Sequence, residues 1–244
     1  MDQQIALITG GAKGIGRGIA LDLAARRWKV ALCYRTSEDE ANATAQDIVA
    51  QGGQPLAIRC DVSDPVAAKN LIARVEQEWG RIDVLINGAG PYHRINLFDE
   101  TVEGWNEMFA GNLHPIFYLA QAVAPGMKSR KSGRIINFSM ANADQMEAQP
   151  DVTGHYIAKA GVLILTRTLA KLLAPYGITV NAVSPGFIDS GSAPPQELAA
   201  MTKRIPAGYI GTIEDTVAAV RYLLSEQARY VNGANIQISG GWGI

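Results

Sequence analysis

A glycine-rich turn near the start of the chain carries the first chemical signal. Residues 9–16 read TGGAKGIG directly after the apolar run IALIT, and an amphipathic stretch begins within the turn. Glycines allow a tight turn, and a helix N-terminus presents free backbone N–H groups to an anion. This succession of strand, turn and helix predicts a site for the pyrophosphate of a dinucleotide. The predicted contact residues are Gly10, Lys13, Gly14, Ile15 and Gly16.

The end of the second apolar run indicates which dinucleotide binds. Sites that prefer NAD place a carboxylate there, which binds the ribose hydroxyls and repels a 2′-phosphate. Here residues 33–36 read CYRT, without a carboxylate. Arg35 offers a planar donor fork for a phosphate, and Lys13 brings a second positive charge from the glycine turn. We therefore predict NADP(H) as the cofactor.

Alternating strands and helices must position these residues. Short β-branched runs such as IALIT, VALCY and RIINF alternate with longer amphipathic stretches. Strands that alternate with helices pair in parallel through right-handed crossovers. We therefore predict an α/β fold, a single Rossmann-type, doubly wound domain over residues 1–244, with a parallel sheet of about seven strands covered by helices on both faces. The predicted helices run from about Gly14 to Ala25, Ala41 to Gln51, Pro65 to Trp79, Asn112 to Met127, Gly154 to Leu173 and Glu214 to Leu224.

The composition is that of a folded globular protein. Hydrophobic residues make up 48% and charged residues 18% of the 244, and the formal net charge is -1. Scattered basic residues give no reason to expect nucleic acid. No apolar run reaches the roughly 18 residues that span a bilayer, and no secretory leader is apparent, so we expect a cytoplasmic protein without a membrane partner. Cys33 and Cys60 lack the spacing of a metal site and are interpreted as reduced, packed thiols.

Further landmarks follow the glycine turn in a fixed order. Residues 61–62 read DV, residues 87–90 read NGAG and residues 185–186 read PG, each at the end of an apolar run. This order resembles the short-chain dehydrogenase/reductase family over nearly the whole chain, and most of all its 3-oxoacyl-[acyl-carrier-protein] reductase-like members. The resemblance implies three groups of cofactor residues. The adenine would be bordered by Asp61 and Val62, and the floor under the cofactor would be formed by Asn87, Gly88, Ala89 and Gly90. The nicotinamide would be flanked by Pro185, Gly186 and Ile188.

The resemblance also implies a reaction, the transfer of a hydride between a nicotinamide and a carbonyl or alcohol carbon. In the family a Tyr exchanges the proton, and a Lys one turn later lowers the pKa of that Tyr and holds the ribose. A Ser orients the substrate oxygen, and an Asn connects the Lys to a water relay. Lys159 and Asn112 of this chain match two of these four positions.

The other two positions have changed residue type. The register that Lys159 sets in GHYIAKAG places His155 at the family's Tyr position, with Tyr156 one residue late. Counting without a gap through GRIIN places Met140 at the family's Ser position, with Ser139 one residue early. The candidate catalytic residues are therefore Asn112, Ser139, His155, Tyr156 and Lys159.

Three interpretations of this departure stay open. In the first, His155 exchanges the proton; the nearby Lys159 ammonium lowers the pKa of the imidazole, which makes it a poor donor near pH 7 but a base for alcohol oxidation. In the second, Tyr156 takes this role after a bulge swings it inward, while Ser139 rotates across its strand. In the third, catalysis is lost and the protein is an NADP(H)-binding sensor or ligand-binding protein. We favour an oxidoreductase with an altered proton donor.

Two irregular segments are interpreted as substrate loops. Residues 140–153 and 186–210 both follow strand ends, where ligands bind in open α/β sheets. The expected ligand is a small carbonyl or alcohol substrate. Asn142, Asp144 and His93 are weaker candidates for contact with it, because polar loop residues are usually just solvated. The sequence shows no cluster of His and Cys that predicts a metal site.

Analogy with the family also predicts a homo-oligomer. The helices that begin near Asn112 and Gly154 would form a four-helix dimer interface, and the C-terminal segment NIQISGGWGI would make a second interface in a tetramer. The apolar content of both helices is compatible with this assembly.

Overall fold

The computed structural model describes residues 3–191 and 195–244. Residues 192–194, within the second predicted substrate loop, lie outside the described residues. The strands are β1 Ile5–Thr9, β2 Lys29–Tyr34, β3 Gln54–Arg59, β4 Val84–Asn87, β5 Gly133–Phe138, β6 Ile178–Pro185, β7 Ile188–Asp189, β8 Gly211–Thr212 and β9 Asn235–Ile238. The helices are α1 Gly14–Ala25, α2 Glu38–Ala50, α3 Pro65–Trp79, α4 Val102–Asn112, α5 His114–Arg130, α6 Thr153–Leu173, α7 Pro195–Thr202 and α8 Ile213–Leu224.

Seven of these strands form one parallel sheet in the order β3-β2-β1-β4-β5-β6-β9. The chain runs outward from β1 to β3, returns to the middle at β4 and then runs outward on the other side. In the register of β1 and β4, Thr9 lies opposite Asn87, so both strand ends flank the crevice at which the order reverses. The predicted doubly wound α/β fold with seven parallel strands is confirmed.

Alternation along the central strands divides the core between the two faces of the sheet. Leu7 and Leu85 face a hydrophobic cluster that α3 and α5 cover, whereas Ile8 and Ile86 face a second cluster that α1, α2 and α8 cover. All five residues of β1 are buried. Burial on both faces explains why the strands are continuous apolar runs rather than alternating ones.

The structure differs from the predicted elements in its middle third. The helix predicted from Asn112 to Met127 is preceded by a separate helix, α4, which ends at Asn112. Pro115 lies in the first turn of α5, where its missing N–H costs nothing. Residues 186–210 are also more regular than expected, since they contain β7 and α7. No helix in the described ranges is long and apolar enough to cross a bilayer.

Candidate cofactor and catalytic site

The glycine turn is packed against the end of β4. Gly10 has a φ of +71°, and a Cβ there would lie 3.1 Å from the backbone of Gly88 and Ala89. A Cβ on Gly16 would lie 2.1 Å from the carbonyl oxygen of Gly10. The Thr9 hydroxyl accepts hydrogen bonds from the N–H groups of Gly88 and Ala89, at 3.1 and 3.2 Å. Glycine is therefore required at both positions of the turn.

The N-terminus of α1 opens onto this turn. Lys13 precedes the helix in an extended conformation, with a φ of −151°, and its side chain caps no backbone N–H group. The helix therefore keeps N–H groups and the positive end of its dipole for an anion. The position fits a pyrophosphate.

A cavity of about 450 Å³ runs from the turn along the carboxyl ends of β2, β3 and β4. Its size and its glycine-rich floor fit the adenosine and pyrophosphate part of a dinucleotide. The predicted cofactor residues that line it are Gly10, Lys13, Gly16, Arg35, Asp61, Val62, Gly88, Ala89 and Gly90. Pro185 ends β6, Ile188 begins β7, and Gly186 between them packs against Ser239.

Two cations and one carboxylate set the charge of this cavity. Arg35 Nη1 lies 3.9 Å from Asp61 Oδ2, and both side chains are about half exposed. Burial raises the pKa of Asp61, but hydrogen bonds from Ser63 and the charge of Arg35 outweigh it and lower the pKa below its ordinary value. Such an exposed ion pair is worth roughly 1 kcal/mol or less, so Arg35 can turn to another anion at little cost.

Lys159 is held at the junction of α6 and β5. Its ammonium donates a 2.9 Å hydrogen bond to the carbonyl oxygen of Phe138. The Ser139 hydroxyl donates a 2.8 Å hydrogen bond to the carbonyl oxygen of Lys159. This second bond runs from the end of β5 to α6, opposite in direction to the first. The lysine side chain is buried, and burial lowers its pKa from 10.5 to about 8. At pH 7 it is still mostly an ammonium, but it loses its proton at a lower pH than an exposed lysine does.

His155 lies beside Lys159 and is 8% exposed. Its ring meets that of Tyr92 edge to face, with 5.1 Å between centroids, and makes a hydrogen bond with the backbone of Pro91. A proline backbone offers only its carbonyl oxygen, so the ring is the donor. The other ring nitrogen, Nδ1, is buried without a hydrogen-bond partner.

Burial and charge both act on the protonation of His155. Burial is the larger cause, followed by the charge of Lys159, and together they lower the pKa of the imidazole from 6.5 to about 4. The sequence indicated the effect of Lys159 but not the larger effect of burial. His155 is therefore neutral at pH 7, and its Nδ1 carries a lone pair without a donor.

Tyr156 and Ser139 do not take the positions that the second interpretation requires. The Tyr156 hydroxyl donates a 2.7 Å hydrogen bond to the carbonyl oxygen of Asn142 and accepts one of 3.1 Å from the N–H of Glu147. Its own N–H bonds the carbonyl of Val152 at 2.9 Å, the regular helical pattern, so α6 has no bulge at this residue. The phenol belongs to the loop that precedes α6.

Met140, at the family's Ser position, packs against a small apolar cluster instead of presenting a polar group. That cluster consists of Ala143, Leu163 and Ala182. Asn112 donates from Nδ2 to the carbonyl oxygens of Met108 and Pro91, at 2.9 and 3.0 Å, while its Oδ1 has no partner.

The first predicted substrate loop, residues 140–153, is joined to its surroundings by contacts between segments distant in sequence. Ile95 and Leu97, after β4, donate backbone hydrogen bonds of 2.8 and 2.9 Å to Asp151 and Pro150, just before α6. On the far side, Asp144 accepts a 3.0 Å bond from Gln237 in β9. Sequence reasoning missed these ties because nothing local marks them.

A second histidine lies near His155. His93 Nε2 is 2.5 Å from a carboxylate oxygen of Glu100, whose side chain is only 8% exposed. The charge of His93 contributes to the lowered pKa of His155. The sequence suggested His93 as a weaker candidate but gave no signal for Glu100, which is seven residues away in an irregular loop.

Known proteins share the sequence and the fold of this chain. Residues 10–243 match a family model described as enoyl-(acyl carrier protein) reductase. The 3-oxoacyl-[acyl-carrier-protein] reductase FabG of Staphylococcus epidermidis is 37% identical over 97% of both chains. A short-chain type dehydrogenase/reductase from Mycobacterium marinum is similar in structure, with a TM-score of 0.90 and 32% identity over 98% of this chain and 94% of that one. Acetoin dehydrogenase from Salmonella typhimurium gives a TM-score of 0.89 and 28% identity over 99% and 97%. The chain therefore belongs to the short-chain dehydrogenase/reductase family of oxidoreductases.

Proposed function

We propose that this protein is an NADP(H)-dependent oxidoreductase that acts on a carbonyl or alcohol substrate. The observation that carries the choice of cofactor is the cavity at the end of β2, where Lys13 and Arg35 both contribute to the lining. Asp61 lies on β3's side of the cavity and pairs only weakly with Arg35. A 2′-phosphate would therefore meet two cations at the position where NAD sites carry a carboxylate.

A bound nicotinamide supplies or accepts the hydride, and the protein's residues handle the proton. The buried, unpartnered Nδ1 of His155 signals a missing donor, because buried polar atoms are nearly always hydrogen-bonded. A substrate hydroxyl that reaches this nitrogen would supply such a donor, and its proton would pass to Nδ1 as the alcohol is oxidised. Lys159 keeps a positive charge beside this step and would hold the ribose.

The lowered pKa sets which direction His155 can assist at a given pH. An imidazolium with a pKa of about 4 is a strong acid but is scarce at pH 7, whereas the neutral ring is abundant. His155 can therefore act as a base for alcohol oxidation at neutral pH, and as an acid for carbonyl reduction increasingly as the pH falls. The resemblance to 3-oxoacyl reductases makes β-hydroxyacyl and β-ketoacyl thioesters the first substrates to test.

A second candidate function rests on the changed catalytic positions. Met140 offers no hydroxyl to a substrate, and the phenol of Tyr156 is engaged by the loop. A binding protein without turnover would keep the cofactor cavity. It would sense NADP(H) through the binding of the cofactor in that cavity. The two candidates differ in turnover and agree on NADP(H) binding.

Cofactor binding is tested by titrating the purified protein with NADPH and with NADH, following nucleotide fluorescence. We expect tighter binding of NADPH. Arg35→Ala should weaken NADPH binding by about tenfold or more and leave NADH nearly unchanged, as expected for loss of a charge-assisted hydrogen bond. Arg74→Ala, which removes an arginine of similar exposure from α3, is the matched control. Tighter binding of NADH by the unaltered protein would overturn the choice of cofactor.

Turnover is tested by absorbance at the nicotinamide band with ketones, secondary alcohols and β-ketoacyl thioesters between pH 5 and 9. Oxidation that persists at pH 7 and is lost in His155→Gln would support His155 as the base. NADPH binding without turnover of any substrate would favour the binding protein.

The predicted homo-oligomer is proposed here as a dimer through α5 and α6. Phe117 and Ile164 are 48% and 59% exposed on these helices. A largely apolar depression of about 540 Å³ lies between them. Ile164→Glu should give a monomer by light scattering, whereas Val49→Glu, equally exposed on α2, should not. We also propose a cytoplasmic location, as the sequence predicts.

A further inference from the structure

The two cysteines of the chain lie side by side at the edge of the cofactor cavity. Cys33 is the penultimate residue of β2, and Cys60 directly follows β3, its parallel neighbour. Cys33 lies opposite Ile58 in the register, so Cys60, two residues further on, faces the same side of the sheet. The N–H of Cys60 bonds the carbonyl of Tyr34 at 2.8 Å, which fixes the two strand ends together.

The Cys33 thiol contacts the backbone of Cys60. Cys33 Sγ donates a 3.5 Å hydrogen bond to the carbonyl oxygen of Cys60. The interaction with the Cys60 side chain raises the pKa of Cys33, as does burial, and the same interaction lowers the pKa of Cys60. Cys33 is 2% exposed, whereas Cys60 is partly exposed, and both line the cavity. The accessible sulfur is thus the one that forms a thiolate more easily.

The strand end that carries Cys33 also supports the glycine turn. The N–H of Gly10 donates a 3.0 Å hydrogen bond to the carbonyl oxygen of Cys33. A covalent bond at Cys33 therefore acts on two parts of the cavity. It would draw the ends of β2 and β3 together. It would also shift the Cys33 carbonyl oxygen that accepts the hydrogen bond from Gly10 in the phosphate-binding turn.

We propose that Cys33 and Cys60 form a reversible disulfide in the wall of the cofactor cavity, that bound cofactor protects the pair, and that the disulfide weakens cofactor binding. This proposal rests on the proposed function, which assigns the cavity to NADP(H). It goes beyond the sequence-based interpretation of both cysteines as packed, reduced thiols.

The oxidation needs a peroxide and proceeds in two steps. The Cys60 thiolate attacks one peroxide oxygen; an S–O bond forms, the O–O bond breaks, and the leaving oxygen is protonated to water. The Cys33 sulfur then displaces the hydroxyl from Cys60; an S–S bond forms, the S–O bond breaks, and a second water leaves with the Cys33 proton. Two thiols and one hydrogen peroxide give one disulfide and two waters, and two electrons pass to the peroxide.

The experiment treats the full-length protein with a small excess of hydrogen peroxide and follows its intact mass. We expect loss of two hydrogen atoms, a peptide that links Cys33 to Cys60, and reversal by dithiothreitol. Saturating NADPH should slow the reaction. NADPH titration of the oxidised protein should show affinity lowered by about tenfold or more, restored on reduction.

Two single variants separate the roles of the sulfurs. Cys33→Ser should stop at a Cys60 sulfenic acid that dimedone traps, whereas Cys60→Ser should react slowly and give neither product. Oxidation of the unaltered protein to sulfinic acid without a cross-link would overturn the proposal, as would a disulfide that leaves NADPH affinity unchanged. If the reduced protein fails to bind NADPH while the cross-link still forms, the proposed cofactor fails and the cysteine pair remains a disulfide site.

Discussion

The hydroxyl of Tyr156 donates a 2.7 Å hydrogen bond to the carbonyl oxygen of Asn142 and so fastens the loop between β5 and α6 to the start of that helix. The nearest tyrosine in sequence to the family's catalytic position is thus part of the framework of the loop. His155, one residue earlier, is the side chain beside Lys159.

Removal of this hydroxyl should affect stability more than chemistry. Tyr156→Phe leaves the buried carbonyl of Asn142 without its donor and should lower the free energy of unfolding by about 1–3 kcal/mol. Urea denaturation measures this loss. The variant should retain most of the turnover of the unaltered protein; a fall in kcat of more than about tenfold at unchanged stability would instead make the phenol a proton donor.

His155→Gln should flatten the acid side of the stability profile. The folded-state pKa of about 4 lies below the ordinary 6.5, so between these values the unfolded chain binds more protons. The contribution of His155 is fully present above pH 6.5 and is lost as the pH falls towards and through 4. Glutamine is neutral throughout and removes this slope. Denaturation at pH 4.5 and 7 in both proteins measures it, and equal slopes would contradict the lowered pKa.

Lys159→Met should stabilise the protein while abolishing function. Burial lowers the lysine pKa from 10.5 to about 8, so at pH 7 the folded state carries a poorly solvated charge. Methionine removes that cost but leaves Phe138 without its donor, for a net gain of about 1–2 kcal/mol at pH 7. The advantage should shrink as the pH rises from 8 towards 10.5, where the unfolded chain also loses the proton. Thermal unfolding at pH 7 and 9.5 provides the measurement; an advantage that does not shrink would rule out this cause.

Gly16→Ala should destroy the cofactor site. Its Cβ would lie 2.1 Å from the Gly10 carbonyl oxygen, which is backbone and must move. NADPH affinity should fall by about tenfold or more in the fluorescence titration. Gly80→Ala is the control, since Gly80 ends α3 with a φ of +86° and open space around a Cβ. That variant should cost about 1 kcal/mol of stability and no affinity; equal losses of affinity in both variants would point to general unfolding.

Features set by local sequence could be predicted well. The predicted helix from Pro65 to Trp79 matches α3 residue for residue, because Asp64 caps it with two side-chain hydrogen bonds and Pro65 occupies its first turn. The central strands were equally clear, since burial on both faces makes them apolar throughout. The glycine turn was predicted from the same kind of signal, a residue type that the backbone requires at a fixed place.

Features set by distant contacts were not predictable from these patterns. Helix α4 was missed because its buried residues are only Met108 and Asn112, too few for an apolar stripe. Glu100 gave no signal because its partner, His93, is fixed by the path of a loop. For His155, sequence spacing indicated the influence of Lys159, but the larger cause of its lowered pKa, burial, depends on the packing of Tyr92 and Pro91 around the ring.

The backbone hydrogen bonds that join residues 95 and 97 to residues 151 and 150 have a consequence for protein engineering. These bonds join the two loops into one wall of the protein. A chimera that takes only one of the loops from a relative would therefore lose the hydrogen bonds between them. Transplanting residues 91–98 together with 140–152 would transfer the wall intact. The two segments therefore form a two-part unit, and libraries aimed at the predicted substrate loop should vary both segments together so that these hydrogen bonds are kept.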